Sequence, residues 1–255
     1  MTILVAQNIA CEKSDRRLFS DVNIHLSASQ LIHLTGENGA GKTSLLRILV
    51  GLSAPARIES APARFESAPA RVESAPARFE SAHARPESAS AKPDDASTNE
   101  FTQGRVEING TDVHSNTDQA SEKLLYFGHK QGVSQLLTPV ENLMSWCKLH
   151  NIVVSEADII TILGELGLTG LEDLPLKNLS AGQQRRVSLA KLWLKTHANL
   201  WVLDEPFTAL DVNLIASLEN KIREFLQSGG AVLMTSHQAL NIDHPITNMH
   251  LEYQW

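Results

Sequence analysis

One eight-residue stretch constrains the fold of this chain more than any other part of it. It reads Gly36-Glu37-Asn38-Gly39-Ala40-Gly41-Lys42-Thr43, which matches the phosphate-binding pattern G-x-x-x-x-G-K-[ST]. The glycines let the backbone turn tightly, so that successive N–H groups point at phosphate oxygens. Lys42 can reach the β- and γ-phosphates, and the Thr43 hydroxyl is placed for Mg²⁺. An apolar strand at residues 31–35 and a helix at residues 44–50 flank the loop, which predicts a P-loop nucleotide site.

The composition of the chain narrows the classes of partner and compartment. There are 22 Lys and Arg against 29 Asp and Glu, giving a net charge of −7, so we expect no nucleic-acid partner. Cys11 and Cys147 are far apart in sequence and predict two buried or idle thiols in a reducing compartment. The first residues lack the pattern of a signal peptide, and the uncharged run at 225–242 is too polar to span a membrane. We therefore expect a cytoplasmic chain without a membrane span of its own.

The apolar patterns alternate between strand and helix along the chain. Strands are predicted at residues 3–9, 18–26, 104–110 and 124–128. The segment at 104–110 ends in a tight turn. The continuous apolar runs at 200–203 and 231–234 suit central parallel strands that are covered on both faces. Helical periodicity runs through residues 138–168 and 187–194. Two buried helical faces are expected, one with Leu143, Trp146 and Leu149, the other with Ile159, Ile162, Leu163 and Leu166. This order predicts an α/β fold with a mainly parallel core sheet.

Residues 54–103 interrupt this alternation. The segment at 59–65 is followed by near copies that begin at Glu66, Glu73, Glu80 and Glu87. Prolines in most copies and the low apolar content exclude a coiled coil. Such a composition cannot bury enough apolar surface to offset the entropy of ordering the chain. We predict a disordered heptapeptide-repeat insert without a catalytic part, and a neutral expansion is favoured over a spacer or recruiting role.

A second polar feature follows the apolar run at 200–203. The run ends in Asp204 and Glu205, two consecutive acids. Beside a P-loop, Asp204 can hold Mg²⁺ through its water shell. Glu205 can polarise the attacking water as a general base. The pair therefore predicts nucleotide hydrolysis.

The string LSAGQ at 179–183 resembles the LSGGQ signature of ABC ATPases, with Ala181 in place of the usual glycine. This resemblance implies that the loop caps the ATP held by a second copy of the chain, with Ser180 and Gly182 as donors to the γ-phosphate. Residues 208–211 resemble the D-loop of the family. The string at 235–237 resembles its switch histidine, which implies that His237 contacts the γ-phosphate.

The resemblance extends over the chain apart from the insert and implies one ABC-type P-loop NTPase domain at 1–255. An antiparallel β subdomain and a helical subdomain at 138–194 that carries the signature are implied with it. ATP and Mg²⁺ are the implied substrate and cofactor. Nucleotide contacts are implied for Gly36, Glu37, Asn38, Gly39, Ala40, Gly41, Lys42, Thr43, Ser180 and Gly182, catalytic roles for Lys42, Glu205 and His237, and Mg²⁺ ligands at Thr43, Asp204 and Gln131.

Two positions of the family pattern stay open. The family carries a Mg²⁺-binding glutamine before the helical subdomain, and here that place falls on Lys130 or Gln131. A lysine cannot ligate Mg²⁺, so the role belongs to Gln131 or is changed. The side chain that stacks on adenine is also open. Phe19 is more typical of a core, whereas Arg16 or Arg17 could stack by a cation–π contact or form a solvated turn.

Three longer strings narrow the resemblance further: LSAGQQRRV at 179–187, DEPFTALDV at 204–212 and TSHQALN at 235–241. With Cys11-Glu12 and Gly128-His129, they resemble the ATP-binding subunits of haem exporters for cytochrome c maturation. That resemblance implies a head-to-tail dimer bound to a transmembrane permease, peripheral at the cytoplasmic face of the inner membrane. ATP would drive haem export or release of a haem chaperone.

Three other classes of protein are alternatives to this one. An ABC exporter of another substrate is the alternative that remains. Soluble ABC proteins of translation or repair usually carry two nucleotide domains, and this chain has room for one. A non-hydrolysing module would be expected to lack Lys42, Glu205 or His237, and all three are present.

Overall fold

A computed structural model describes residues 1–13, 16–59 and 101–252 of the chain. The strands in chain order are β1 (Thr2–Lys13), β2 (Arg16–Ser27), β3 (Leu31–Thr35), β4 (Arg57–Glu59), β5 (Phe101–Gln103), β6 (Arg105–Ile108), β7 (Thr111–Asp112), β8 (Leu124–Phe127), β9 (Leu200–Asp204), β10 (Ala231–Thr235) and β11 (Ile246–His250). The α-helices are α1 (Lys42–Leu49), α2 (Thr117–Glu122), α3 (Pro139–Leu149), α4 (Glu156–Glu165), α5 (Ala181–Leu189), α6 (Lys191–Leu194) and α7 (Val212–Gln227). A 3₁₀ turn covers Leu176–Asn178.

Two sheets form the framework. The core sheet has the order β11-β3-β10-β9-β8, and each neighbouring pair is parallel. The second sheet, β2-β1-β6-β7, is antiparallel. Asn109 and Gly110 join β6 to β7 with φ of 52° and 78°, the left-handed pair that tight hairpins need. The predicted α/β fold, with a mainly parallel core sheet and an antiparallel β subdomain, is confirmed.

The two central strands β9 and β10 separate two apolar cores. Every residue of both strands is buried. Because side chains alternate across a strand, Trp201 and Leu203 pack with the helical region, whereas Leu200 and Val202 pack with α1 and the antiparallel sheet. The indole of Trp201 stacks on Phe225 of α7, with ring centroids 3.9 Å apart. The prediction of parallel strands covered on both faces is confirmed.

The predicted helical stretch at 138–168 forms α3 and α4. Both begin at a capping box, in which Thr138 and Glu141, or Ser155 and Asp158, exchange side-chain and backbone hydrogen bonds. All the helix-face residues predicted to be buried are in or against the helical core except Leu149.

Leu149 is 81% exposed, which corrects the predicted buried face of α3. A helix has about 3.6 residues per turn, so a strict three-residue spacing rotates by about 60° at each step. Leu149 therefore lies about 120° around the helix from Leu143. Cys147, four residues after Leu143, is buried instead and fills that face.

The two ends of the predicted insert are ordered. Strands β4 and β5 pair in a two-stranded sheet of their own. Both fall inside the range 54–103 for which disorder is predicted, so that range is too wide at these residues. The rest of the insert, residues 60–100, lies outside the described residues.

Two further sequence predictions concern cysteines and membrane spans. Cys11 and Cys147 are free and buried, and burial raises the pKa of both thiols. Both thiols are therefore buried, as one of the two readings of these cysteines predicts. Among the helices of residues 1–13, 16–59 and 101–252, none combines the length and the apolar character needed to cross a bilayer.

Candidate functional site

The glycine loop connects β3, which ends at Thr35, to α1, which begins at Lys42. Gly41 has φ of 95°, and a Cβ there would come within 2.9 Å of the Phe19 ring. Gly36 has φ of 145°, and a Cβ there would lie 2.6 Å from the Leu251 carbonyl oxygen. Both the backbone conformation and the available space therefore require glycine at these two positions.

The Lys42 ammonium lies over the loop itself. Its Nζ donates to the carbonyl oxygens of Gly36 at 2.7 Å and Glu37 at 3.0 Å. These are neutral acceptors, which hold the charge in place without cancelling it. The N-terminus of α1 adds its own attraction for anions. The loop can therefore bind a phosphate group.

Asp204 ends β9 and is 2% exposed. Its Oδ1 accepts a hydrogen bond of 3.0 Å from the Thr235 hydroxyl, while Oδ2 is buried and has no hydrogen-bond partner among the described residues. Thr235 is the register partner of Asp204 across the parallel pair β9–β10, so the sheet itself brings the two together. An unpaired buried carboxylate oxygen is costly, and it is available for a ligand.

Glu205 follows with φ of 52°, a left-handed conformation that costs about 1–2 kcal/mol for a residue with a Cβ. Its N–H donates to the Thr235 hydroxyl oxygen at 2.9 Å, and its carbonyl oxygen accepts a hydrogen bond from the Arg185 guanidinium. Both sides of the strained residue are thus fixed by long-range contacts. The Glu205 Oε2 atom accepts a hydrogen bond of 3.2 Å from the backbone N–H of His237. The imidazole Nε2 of His237 lies 3.5 Å from Glu205 Oε1.

These elements line one open cleft of about 320 Å³. The lining residues are Lys13, Leu18, Asn38, Gly39, Gly41, Lys42, Thr43, Ser44, Asp204, Glu205 and His237. The structure therefore brings together the predicted lysine, threonine, two acids and histidine. An anion can bind at the loop. A cation can bind between the carboxylate of Asp204 and the hydroxyl of Thr43. A water molecule can be deprotonated by Glu205.

The sequence patterns did not predict three of the residues that line this cleft. Lys13 ends β1, Leu18 lies in β2, and Ser44 follows the P-loop. Leu18 carries only the strand pattern, which does not distinguish a cleft residue from a core residue. Of the residues considered for adenine stacking, Phe19 is 1% exposed and belongs to the core.

The two arginines considered for adenine stacking do not line the cleft either. Arg17 pairs with Glu12 at 2.9 Å, and Arg16 is exposed. The guanidinium of Arg17 is therefore held on the antiparallel sheet by its own neighbour. The cleft wall on this side is formed by Lys13 and Leu18 instead.

The predicted signature residues Ser180 and Gly182 lie outside this cleft. Ser180 caps α5: its hydroxyl oxygen accepts from the Gln183 N–H at 3.2 Å, and the Gln183 side chain accepts from the Ser180 N–H at 2.8 Å. Neither Ser180 nor Gly182 is among the residues that line the cleft of the same chain.

Gln131, predicted as a Mg²⁺ ligand, is not brought together with Thr43 and Asp204. Its side-chain amide is 3.4 Å from the Ala181 carbonyl oxygen. Its own carbonyl oxygen accepts from the Ser188 hydroxyl at 2.7 Å and from the Lys191 ammonium at 3.1 Å. These contacts anchor Gln131 on α5 and α6. Lys130, the other residue considered for this position, is exposed.

Lys191 is itself a buried cation with a testable titration. It is 9% exposed, it donates to the carbonyl oxygens of Gln131 and Gly132, and burial lowers its pKa to about 8. An unfolded lysine has a pKa of about 10.4, so between about pH 8 and 10 the folded chain binds fewer protons than the unfolded chain. We expect the free energy of unfolding of the native protein to rise with pH in that window relative to Lys191→Met.

Urea titrations of the two proteins at several pH values measure their free energies of unfolding. The cysteines and tyrosines are the same in both proteins, so their titration cancels in the difference between the two curves. Lys148→Met, on an exposed position of α3, is the control and should keep the native pH dependence. Parallel curves for the native protein and Lys191→Met would contradict the assignment.

Comparison with known proteins identifies the family. The ABC transporter family matches residues 19–84 and 95–208. The cytochrome c biogenesis ATP-binding export protein CcmA of Escherichia coli strain K12 is 37% identical over 242 residues, which cover 95% of this chain and 92% of that protein. CcmA of Shigella sonnei strain Ss046 is 36% identical with the same coverage.

Solved structures share the fold at low sequence identity. A dimeric ATP-binding cassette in a post-hydrolysis state with ADP and Pi superposes with a TM-score of 0.69, at 16% identity over 98% of this chain and 97% of that chain. An ATP-binding subunit of an ABC transporter gives a TM-score of 0.66, at 19% identity over 92% of this chain and 80% of that chain. From these matches, the chain belongs to the ABC transporter ATP-binding family and, within it, to the cytochrome c biogenesis ATP-binding export proteins.

Proposed function

We propose that this ATP-hydrolysing transporter subunit works in an inner-membrane complex for cytochrome c biogenesis, where it couples hydrolysis to haem export or to release of a haem chaperone. The observation that carries the hydrolytic part is the convergence of Lys42, Thr43, Asp204, Glu205 and His237 on one cleft. The CcmA relatives, each called a cytochrome c biogenesis ATP-binding export protein, support the biological part.

The cleft residues fit Mg²⁺. The Oδ2 atom of Asp204 is buried without a hydrogen-bond partner among the described residues, and Thr43 lines the same cleft. In the part of the chain that the structure describes, no three His, Cys, Asp or Glu residues cluster for a metal. The two oxygens would therefore share the ion with the phosphates of ATP and with water, the usual mode for Mg²⁺. Bound there, Mg²⁺ would neutralise charge on the phosphates.

Gln131 remains a proposed third ligand. In the structure its side-chain amide donates to the Ala181 carbonyl oxygen at 3.4 Å, and Gln131 does not line the cleft. A Mg²⁺ role of Gln131 would therefore require its side chain to leave this contact and turn into the cleft.

The other roles follow from charge and position. The P-loop N–H groups and Lys42 would bind the β- and γ-phosphates, and they stabilise the charge that develops on the transferred group. Glu205 would take the proton of the attacking water, with its carboxylate oriented by the His237 N–H. The His237 side chain is 61% exposed at the rim of the cleft, where it can meet the γ-phosphate.

A second copy of the chain would complete the site. Ser180 and Gly182 are absent from their own cleft, and they lie at the N-terminus of α5, which favours an anion. We propose that a head-to-tail dimer places this end of α5 on the ATP held by its partner. The dimeric ATP-binding cassette with the same fold supports this arrangement. The dimer would dock on a transmembrane permease at the cytoplasmic face of the inner membrane.

Deletion of the gene tests the biological role. We expect cells without this chain to lose holo c-type cytochromes, seen by haem staining of gels, and to retain b-type cytochromes. Complementation with the native gene should restore the c-type bands, whereas Glu205→Gln should not. Normal c-type cytochromes in the deletion strain, or co-purification with an unrelated permease, would favour an exporter of another substrate.

A further inference from the structure

We infer that Arg185 is a positioning residue for Glu205, and that it makes the direction of that carboxylate depend on the signature helix α5. The inference rests on the proposed role of Glu205 as general base. The relevant contact joins two motifs that are 20 residues apart in sequence.

The contact is made to the backbone of Glu205. Arg185 lies in α5 and is 6% exposed. Its Nη2 donates to the Glu205 carbonyl oxygen, and its guanidinium lies over the Phe127 ring, 5.0 Å from the centroid. The planar guanidinium is held between an aromatic face and a carbonyl, so its own orientation is well defined. It can therefore hold the peptide that follows Glu205 in one orientation.

Glu205 needs such support because its backbone is left-handed, with φ of 52°. The Thr235 hydroxyl fixes the N–H side of the residue, and Arg185 fixes the carbonyl side. Without the guanidinium the carbonyl side can rotate toward an ordinary conformation. The Cα–Cβ bond, and with it the carboxylate, would then turn away from the water that it must deprotonate.

The charge of Arg185 also indicates a task beyond stability. Burial lowers the pKa of its guanidinium, and Asp204 and Glu205 counteract this effect. Its Nε is buried without a hydrogen-bond partner among the described residues. An apolar side chain of similar volume is often buried at no greater cost than such a charge. The guanidinium of Arg185 is therefore better explained by its contact with Glu205, the residue that directly follows β9.

The next residue extends the connection. Arg186 pairs with the Asp211 carboxylate, and Asp211 caps the N-terminus of α7. Consecutive arginines of α5 thus contact the two segments that follow β9, at Glu205 and at Asp211. Because the signature residue Ser180 caps the N-terminus of α5, a shift of this helix on the partner's ATP would move the base of its own site. Each nucleotide of the dimer would in this way influence hydrolysis of the other.

Substitution of Arg185 in the assembled complex tests the inference. We expect Arg185→Met to lower kcat by about 10- to 100-fold, the loss typical of a slightly misplaced catalytic group, with KM for ATP changed less than about 3-fold. Arg185→Lys, which keeps the charge but not the planar arrangement of donors, should recover part of the rate. Lys195→Met is the matched control, because Lys195 is a buried cation that donates to the carbonyl oxygens of Ser121 and Leu124, away from the cleft.

The control should leave kcat per folded molecule unchanged, whatever its effect on the melting temperature. Equal kcat losses in the two variants would overturn the inference. If Arg185→Met does not fold, the native kcat in a folded Arg185→Lys variant would overturn the need for a guanidinium. A several-fold loss there supports it.

A double-mutant cycle separates this inference from the proposed function. In a Glu205→Gln background, which keeps the backbone carbonyl but not the base, Arg185→Met should cause no further loss of the residual rate. A loss as large as in the native background would show that Arg185 acts independently of Glu205. Unchanged hydrolysis in Glu205→Gln alone would instead remove the proposed base.

Discussion

Glu205→Gln is expected to lower the rate of ATP hydrolysis by about 10²- to 10⁴-fold, the usual contribution of a general base, while ATP binding is retained. Glutamine keeps the size of the side chain, and its amide oxygen can still accept from the His237 N–H. The backbone contacts of Glu205 to Thr235 and Arg185 do not involve the carboxylate and should persist. Only the ability to take a proton is lost, so the dimer should accumulate with ATP trapped inside it.

Phosphate release measures the rate, and size-exclusion chromatography with radiolabelled ATP detects the trapped dimer. Glu224→Gln is a suitable control, because Glu224 lies on α7 and pairs only weakly with Lys221, at 3.6 Å. Its variant should hydrolyse ATP at the native rate. Native activity in a well-folded Glu205→Gln protein would show that another group activates the water.

Lys42→Ala is expected to weaken ATP binding by about 10- to 100-fold, since a hydrogen bond to a charged group is worth about 1.5–3 kcal/mol. The rate of hydrolysis at saturating ATP should fall as well, because we propose that the same charge stabilises the transferred phosphoryl group. Thermal stability should change little, since the amine only bridges the carbonyl oxygens of Gly36 and Glu37 at the open cleft.

Titration with a fluorescent ATP analogue measures the affinity. Arg47→Ala removes an exposed cation from the same helix α1, outside the cleft, and should bind ATP as the native chain does. An affinity of Lys42→Ala equal to that of the control would contradict the phosphate-binding role.

The parts of the fold that sequence predicts well are those with a short-range signal. The loop at 36–43 is specified by its own glycines, and the acids follow directly after an apolar run. Their meeting in one cleft follows from parallel strands, whose carboxyl ends share one edge of the sheet. Continuous apolar runs likewise identified both central strands correctly.

What sequence missed depends on tertiary contacts. Arg185 stands in a polar string at the start of a helix, where a solvated side chain is the usual outcome, yet it is buried against Phe127. Thr235 supports both acids through a register that only the finished sheet defines. Gln131 has the residue type for Mg²⁺, but hydrogen bonds from α5 and α6 decide where it lies.

The order of strands in the core sheet has a consequence for how the chain folds during synthesis. The P-loop strand β3 is made early, but its two neighbours, β10 and β11, are the last two strands among the residues that the structure describes. While a ribosome is still translating the region before residue 231, β3 has no neighbour in the core sheet, and β10 is not there to separate it from β9. Such distant pairings form late in folding. A chain that stops before β10 therefore contains the P-loop and both acids but has no assembled nucleotide site, so truncated translation products should compete neither for ATP nor for a place in the proposed dimer.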